Sequence, residues 1–166
     1  MIYDEEFMIR DIEALFKAKL NAEIDCINTE KGAVSGDALF IENIPSDKYV
    51  FETIDKKLLN FTGFFVLYGL VDYPVEGANI ESYIEGTTIT FQIGTFDKGE
   101  KERSNIMYKL LRYRRAISQV IMKNTDIFRG YAKPLVTRLK PDTLPFDRNY
   151  VILKSGVDIK ASNTSR

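Results

Sequence analysis

The chain has 166 residues, of which 45% are hydrophobic, and it carries 23 Lys and Arg against 24 Asp and Glu. That length suits one domain with a packed core. There is no histidine and a single cysteine, Cys26, which excludes histidine-assisted nucleophiles, histidine-ligated zinc, and any internal disulfide or multi-cysteine metal site.

The near-neutral total hides an uneven distribution: residues 1–83 carry a net −9 and residues 84–166 a net +8. Opposite halves can pair inside one globule, or the acidic flank of one subunit can meet the basic flank of an identical neighbour. The start, MIYDEEFMIRD, has acids where a signal peptide carries positive charge, and no apolar run approaches the roughly 20 residues needed to span a bilayer. A soluble protein made in a cytoplasm is expected, with Cys26 acting as a small core residue.

In chain order, Asp4 is a candidate N-cap, and Met8, Ile12, Leu15, Phe16 and Leu20 recur at helical spacing, predicting a helix over 5–20. Residues 22–36 alternate Ile24, Cys26 and Asn28 against Asp25 and Ile27 and then meet Gly32 and Gly36, which predicts a short strand and a turn. Residues 40–61, where Pro45 and Ser46 interrupt two short apolar runs and 49–54 is rich in strand formers, read as extended. The run 61–73, FTGFFVLYGLVDY, reads as a central strand. Its expected partner is the alternating Ile89, Phe91 and Ile93 strand. The linker between them, 74–86, exceeds what a tight hairpin needs, and loops of that length are often functional.

A helix over about 104–123 follows. At about 100 degrees per residue, Ile106, Leu110, Tyr113, Ile117, Val120 and Ile121 share one sector, which is the core face. Tyr108, Arg112, Arg115 and Gln119 form a stripe on the opposite side. It reads either as a solvated face or as a contact surface, because Arg and Tyr are enriched at interfaces. Asp97 with Glu100 has the offset of a capping box, and Ser104 offers a later cap. Short strands are expected over 135–139 and 149–154, separated by a proline-bearing loop. A turn at Ser155 and Gly156 is expected to lead into a last strand through Val157 and Ile159. The fold class is therefore α+β, a mainly antiparallel sheet with both helices packed on one face. One assembly domain spans 1–160, and 161–166 is a flexible tail.

No phosphate-binding glycine loop, dinucleotide fingerprint or metalloprotease motif is present. Asp72, Glu76, Glu81 and Glu85 could gather around Mg²⁺ as in a nuclease, although exposed loop acids explain them as well. The basic second half admits nucleic acid as a partner, while a pI near 5.6 speaks against a dedicated DNA-binding domain.

The run Leu111, Arg112, Tyr113, Arg115, Ala116 and Ile117, following the TFQIGTFD strand and an N-terminal helix, resembles the tail terminator and related neck proteins of long-tailed bacteriophages. That resemblance implies a non-enzymatic virion subunit without cofactor, assembled in the host cytoplasm into a hexameric ring. Such a ring ends the tail tube and joins tail to head, contacting the tail tube protein and a head completion or connector protein, with DNA passing through its lumen and no membrane involved. A head completion or connector role is the neighbouring alternative; a small nucleic-acid-binding protein or Mg²⁺-dependent nuclease is the alternative of a different class. Candidate contact residues are Tyr108, Arg112, Arg115 and Gln119 on the helix, and Glu76, Asn79, Glu81 and Tyr83 in the long loop.

Overall fold

The computed structural model describes residues 5–51, 54, 56–72, 84–97, 103–125, 135–136, 142–147 and 150–164. In chain order these form α1 (Glu5–Glu30), a 3-10 turn (Ser46–Lys48), β1 (Tyr49–Phe51), α2 (Lys56–Leu59), β2 (Phe65–Asp72), β3 (Ile84–Asp97), α3 (Arg103–Lys123), β4 (Leu135–Val136), β5 (Asp142–Asp147) and β6 (Tyr150–Thr164). The class is α+β. The sheet runs β1-β2-β3-β6-β4, with β5 also on β6. Among the described residues only β1 and β2 pair in parallel; the other ladders are antiparallel.

Alternation along β2 and β3 sorts side chains between two layers. Val66 and Tyr68 of β2 and Ile89, Phe91 and Ile93 of β3 join the main core with α1 and α3. Phe16 of α1 stacks on Phe91, ring centroids 4.3 Å apart, and Phe91 stacks in turn on Tyr68 at 5.4 Å. Phe65 and Phe96 point the other way and close a smaller cluster with Leu58 of α2. The register Val66↔Ile93 and Tyr68↔Phe91 is the one that keeps both apolar sets on their own faces.

The helix α3 agrees with the expected sector: Leu110, Tyr113, Ile117, Val120 and Ile121 are buried and Ile106 is packed against the core. It begins at Arg103, one residue before the expected start, and Arg103 is exposed. Asp97 ends β3, while Glu100 of the proposed capping box lies outside the described residues. So does the side chain of Met8, on α1.

Residues 22–36 do not form the expected strand. The first helix continues through Glu30, burying Leu20, Ile24, Ile27 and Asn28 at spacings of four, three and one. It stops at Gly32, whose φ of 61° takes the left-handed position. There Ala33 N–H donates to Asn28 C=O at 2.9 Å and Gly32 N–H to Thr29 C=O at 3.1 Å, the paired bonds of a Schellman cap. Gly32 thus breaks the chain as expected, but ends a helix. Cys26, expected in the core, is exposed on the outer side of α1.

Ser155 and Gly156 do not turn the chain. They pair with Ile93 and Gln92 in a ladder that holds β6 continuously against β3 from Val151↔Asp97 to Thr164↔Ile84. A long partner strand overrides the local turn preference of Ser-Gly. The expected tail boundary at Ala161 likewise falls inside β6, with Ser165 and Arg166 outside the described residues. The proline-bearing segment contributes β5, in which Pro145 stands opposite Val151 with a register shift just after it, the tolerance expected of an edge strand. Among its described residues the stretch 40–61, expected to be extended, is a strand only at Tyr49–Phe51 and turns helical at Ser46–Lys48 and Lys56–Leu59, and of the expected 135–139 strand only Leu135 and Val136 are described. Within the linker 74–86, Ile84–Gly86 belong to β3; the remainder lies outside the described residues.

Candidate docking surface

The two long helices lie antiparallel, tied by ion pairs that cross between the acidic and basic halves of the chain. Arg115 Nη1 and Nη2 donate to Glu30 Oε1 and Oε2 at 2.9 and 2.7 Å, and Lys123 Nζ donates to Glu23 at 2.7 and 2.8 Å. Hydrogen bonding from Arg115 pulls the Glu30 carboxyl below its ordinary range, and hydrogen bonding to Glu23 pushes the Lys123 ammonium up. Part of the charge asymmetry is therefore neutralised inside the fold.

Between α1 and α3 lies the segment Leu39 to Ile44, which joins no ladder and is held by side chains from both helices. Asn28 Nδ2 donates to Ile41 C=O at 2.8 Å while Ile41 N–H donates to Asn28 Oδ1 at 3.1 Å. Two helical turns earlier, Asn21 repeats the arrangement with Ile44, at 3.1 and 2.9 Å. From α3, Arg112 Nη1 donates to Leu39 C=O at 2.6 Å and Tyr113 Oη to Glu42 C=O at 2.7 Å. With their polar backbone satisfied, Ile41 and Ile44 enter the core at 0% and 2% exposure. Burial, with the Glu42 charge nearby, pushes the Tyr113 phenol far up, so it keeps the proton that it donates to Glu42 C=O.

A second polar cluster joins α1 to the sheet. Tyr68 Oη donates to Glu13 Oε2 at 2.5 Å and Lys17 Nζ approaches Glu13 Oε1 at 2.5 Å. Lys17 also lies 5.6 Å from the Tyr49 ring centroid, and Tyr49 Oη donates to Phe16 C=O. Burial would raise the Glu13 carboxyl, but the hydrogen bonds from Lys17 and Tyr68 outweigh it and the net shift is downward. Burial raises both tyrosines. All these shifts move titration away from neutrality, as structural pairs do and poised acid–base groups do not.

Of the residues expected on the outward stripe of α3, Tyr108 is exposed, Arg112 is half-buried under Leu39, Arg115 is exposed but paired, and Gln119 is half-buried. Sequence spacing missed Leu111 and Met122, which are 37% and 71% exposed beside Tyr108 at 58%. Glu76, Asn79, Glu81 and Tyr83 lie outside the described residues. Of the possible Mg²⁺ carboxylates, Glu76 and Glu81 do too, while Asp72 pairs with Thr87 and Glu85 with Asn163 in the sheet. Among the described residues no three His, Cys, Asp or Glu gather as a metal site requires, and no helix is long and apolar enough to cross a membrane. Scanned against models of protein families and searched against curated proteins, the sequence matches none.

Proposed function

We propose that this chain is a structural assembly subunit of a bacteriophage neck, associating with copies of itself in a ring, about six-fold, that ends the tail tube and joins tail to head. The observation that carries the reading is the outward face of α3, where Tyr108, Leu111 and Met122 stand in solvent on a helix with six cations and no acid. Exposed large apolar and aromatic side chains aligned on one rigid helix are suited to docking. The resemblance in the run 111–117 adds to it. Within that run Tyr113, Ala116 and Ile117 build the core and Arg112 fixes the 39–44 segment, so the likeness bears on the fold, while Leu111 bears on contact.

A nucleic-acid protein would draw on the same cations. Arg112, Arg115 and Lys123 are held by Leu39, Glu30 and Glu23, which favours assembly over phosphate binding. Tail terminator and head completion roles share this reading, and the partners follow from whichever role holds: tail tube on one side, connector on the other, DNA through the lumen. Sedimentation velocity over a concentration series, with negative-stain imaging, tests it. Rings of uniform size are expected; a chain that stays monomeric throughout and binds duplex DNA with steep salt dependence overturns it.

A further inference from the structure

The exposed apolar residues of α3 belong to a regular seam. Ser104, Tyr108, Leu111, Arg115, Ser118 and Met122 succeed one another at spacings of four, three, four, three and four. That is the 3.5-residue repeat with which one helix meets another. All but half-buried Ser118 are exposed. The seam extends over about 27 Å at 1.5 Å per residue. Its one charge, Arg115, is neutralised by Glu30.

Charge decides what can cover it. Two copies of α3 face to face would bring together two helices with six cations and no acid each, of which Glu30 and Glu23 offset only Arg115 and Lys123, a net repulsion that works against a symmetric pairing. The complementary element is α1, which holds seven acids and three bases along 26 residues; with Glu23 and Glu30 already paired to α3 of the same chain, its acids still outnumber its bases. Between Asp11 and Asp25 its outer side presents Asp11, Ala14, Ala18, Ala22 and Asp25, all exposed, small side chains that leave room for Tyr108, Leu111 or Met122. We infer that the α3 seam of one copy docks on the outer face of α1 in a second copy. This contact rests on the assembly reading above. Each copy then carries one surface of each kind: made once between two copies, the contact is head-to-tail and closes into a ring when the rotation permits, whereas made twice it closes as a two-fold dimer.

Three chains test it by sedimentation velocity, each first shown folded by circular dichroism and urea unfolding: the wild type, the seam variant Leu111→Glu/Met122→Glu, and the α1 variant Ala18→Arg. The wild type is expected to assemble, each variant alone to weaken assembly at least tenfold, and an equimolar mixture of the variants to stop at dimers, since only one productive contact remains. If the seam variant assembles like the wild type, or the α1 variant does, or the mixture stays monomeric, the contact is wrong while the assembly reading stands. A wild type that never leaves the monomer overturns both.

Discussion

The ring of Phe65 on β2 lies so close over Gly94 on β3 that a Cβ at Gly94 would stand 2.6 Å from Phe65 Cζ and 2.9 Å from Cε2. The two residues are register partners, and the ring occupies the space a side chain would fill. Phe65 is fully buried, with Phe96 at 5.4 Å between centroids and Leu58 in the same cluster, so it has little room to swing away. Gly94→Ala should therefore lower the unfolding free energy by about 1–3 kcal/mol through overpacking, read by urea denaturation. In a Phe65→Leu background the same substitution should cost much less, the coupling expected of touching residues. A Gly94→Ala protein as stable as the wild type would show that the ring yields.

The two asparagines of α1 should differ in weight. Asn28 is buried, and its removal strands both Ile41 N–H and Ile41 C=O. Asn28→Ala should cost about 2–4 kcal/mol, since buried groups left unsatisfied are charged their full desolvation. Asn21 is part-buried, so water can replace it and Asn21→Ala should cost about 1–2 kcal/mol. Native-state amide exchange at Ile41 should accelerate in the first variant and at Ile44 in the second. Unchanged exchange at both would remove the claim that the asparagines hold the segment.

These asparagines also explain where sequence reading of α1 failed. Asn21 and Asn28 occupy inward positions that an apolar period would fill, so the period fades after Leu20, and Ile24, Cys26 and Asn28 at alternate positions imitate a strand. The signal that survives is local: Leu20, Ile24 and Ile27 keep helical spacing and Gly32 sits where a Schellman cap needs it. α3 was legible because its apolar sector is unbroken, β2 because its apolar run is nearly continuous, and β3 because Ile89, Phe91 and Ile93 alternate with polar neighbours. The partners of Arg112 and Arg115 lie 73 and 85 positions away, and no spacing on the helix itself announces them. Leu111 and Met122 were available at the same 3.5-residue spacing as Tyr108, but a search for polar contact residues passes over them.

Acid should weaken the junction of α1 with the sheet. The Glu13 carboxyl is held below its ordinary range by Lys17 and Tyr68. A group whose folded pKa is depressed stabilises the fold above its unfolded value, near 4.5 for Glu13, and that contribution is lost as pH falls through the folded value. Tyr68→Phe removes a charge-assisted donor at 2.5 Å and should cost about 1.5–3 kcal/mol at neutral pH. It should also raise the Glu13 pKa. The stability gap between wild type and variant should narrow as pH is lowered from 6 to about 3. A gap that stays constant would mean that the bond does not depend on the carboxylate charge.

Arg112 and Arg115, three residues apart on one helix stripe, should behave as different kinds of residue. Arg112 is half-buried and bonds a backbone carbonyl in the 39–44 segment, so Arg112→Ala should lower stability by about 1–2 kcal/mol with little dependence on salt. Arg115 pairs with an exposed carboxylate, and such pairs are screened and weak. Arg115→Ala should leave the urea midpoint nearly unchanged at moderate salt, while the Glu30 carboxyl, released from its hydrogen bonds, returns upward toward its ordinary value in an NMR titration. Reversing both charges at once would mix a folding defect with any docking defect, so the single alanine variants are the informative ones. If Arg112→Ala unfolds at the wild-type midpoint, the carbonyl bond to Leu39 contributes nothing and Arg112 returns to the set of candidate contact residues.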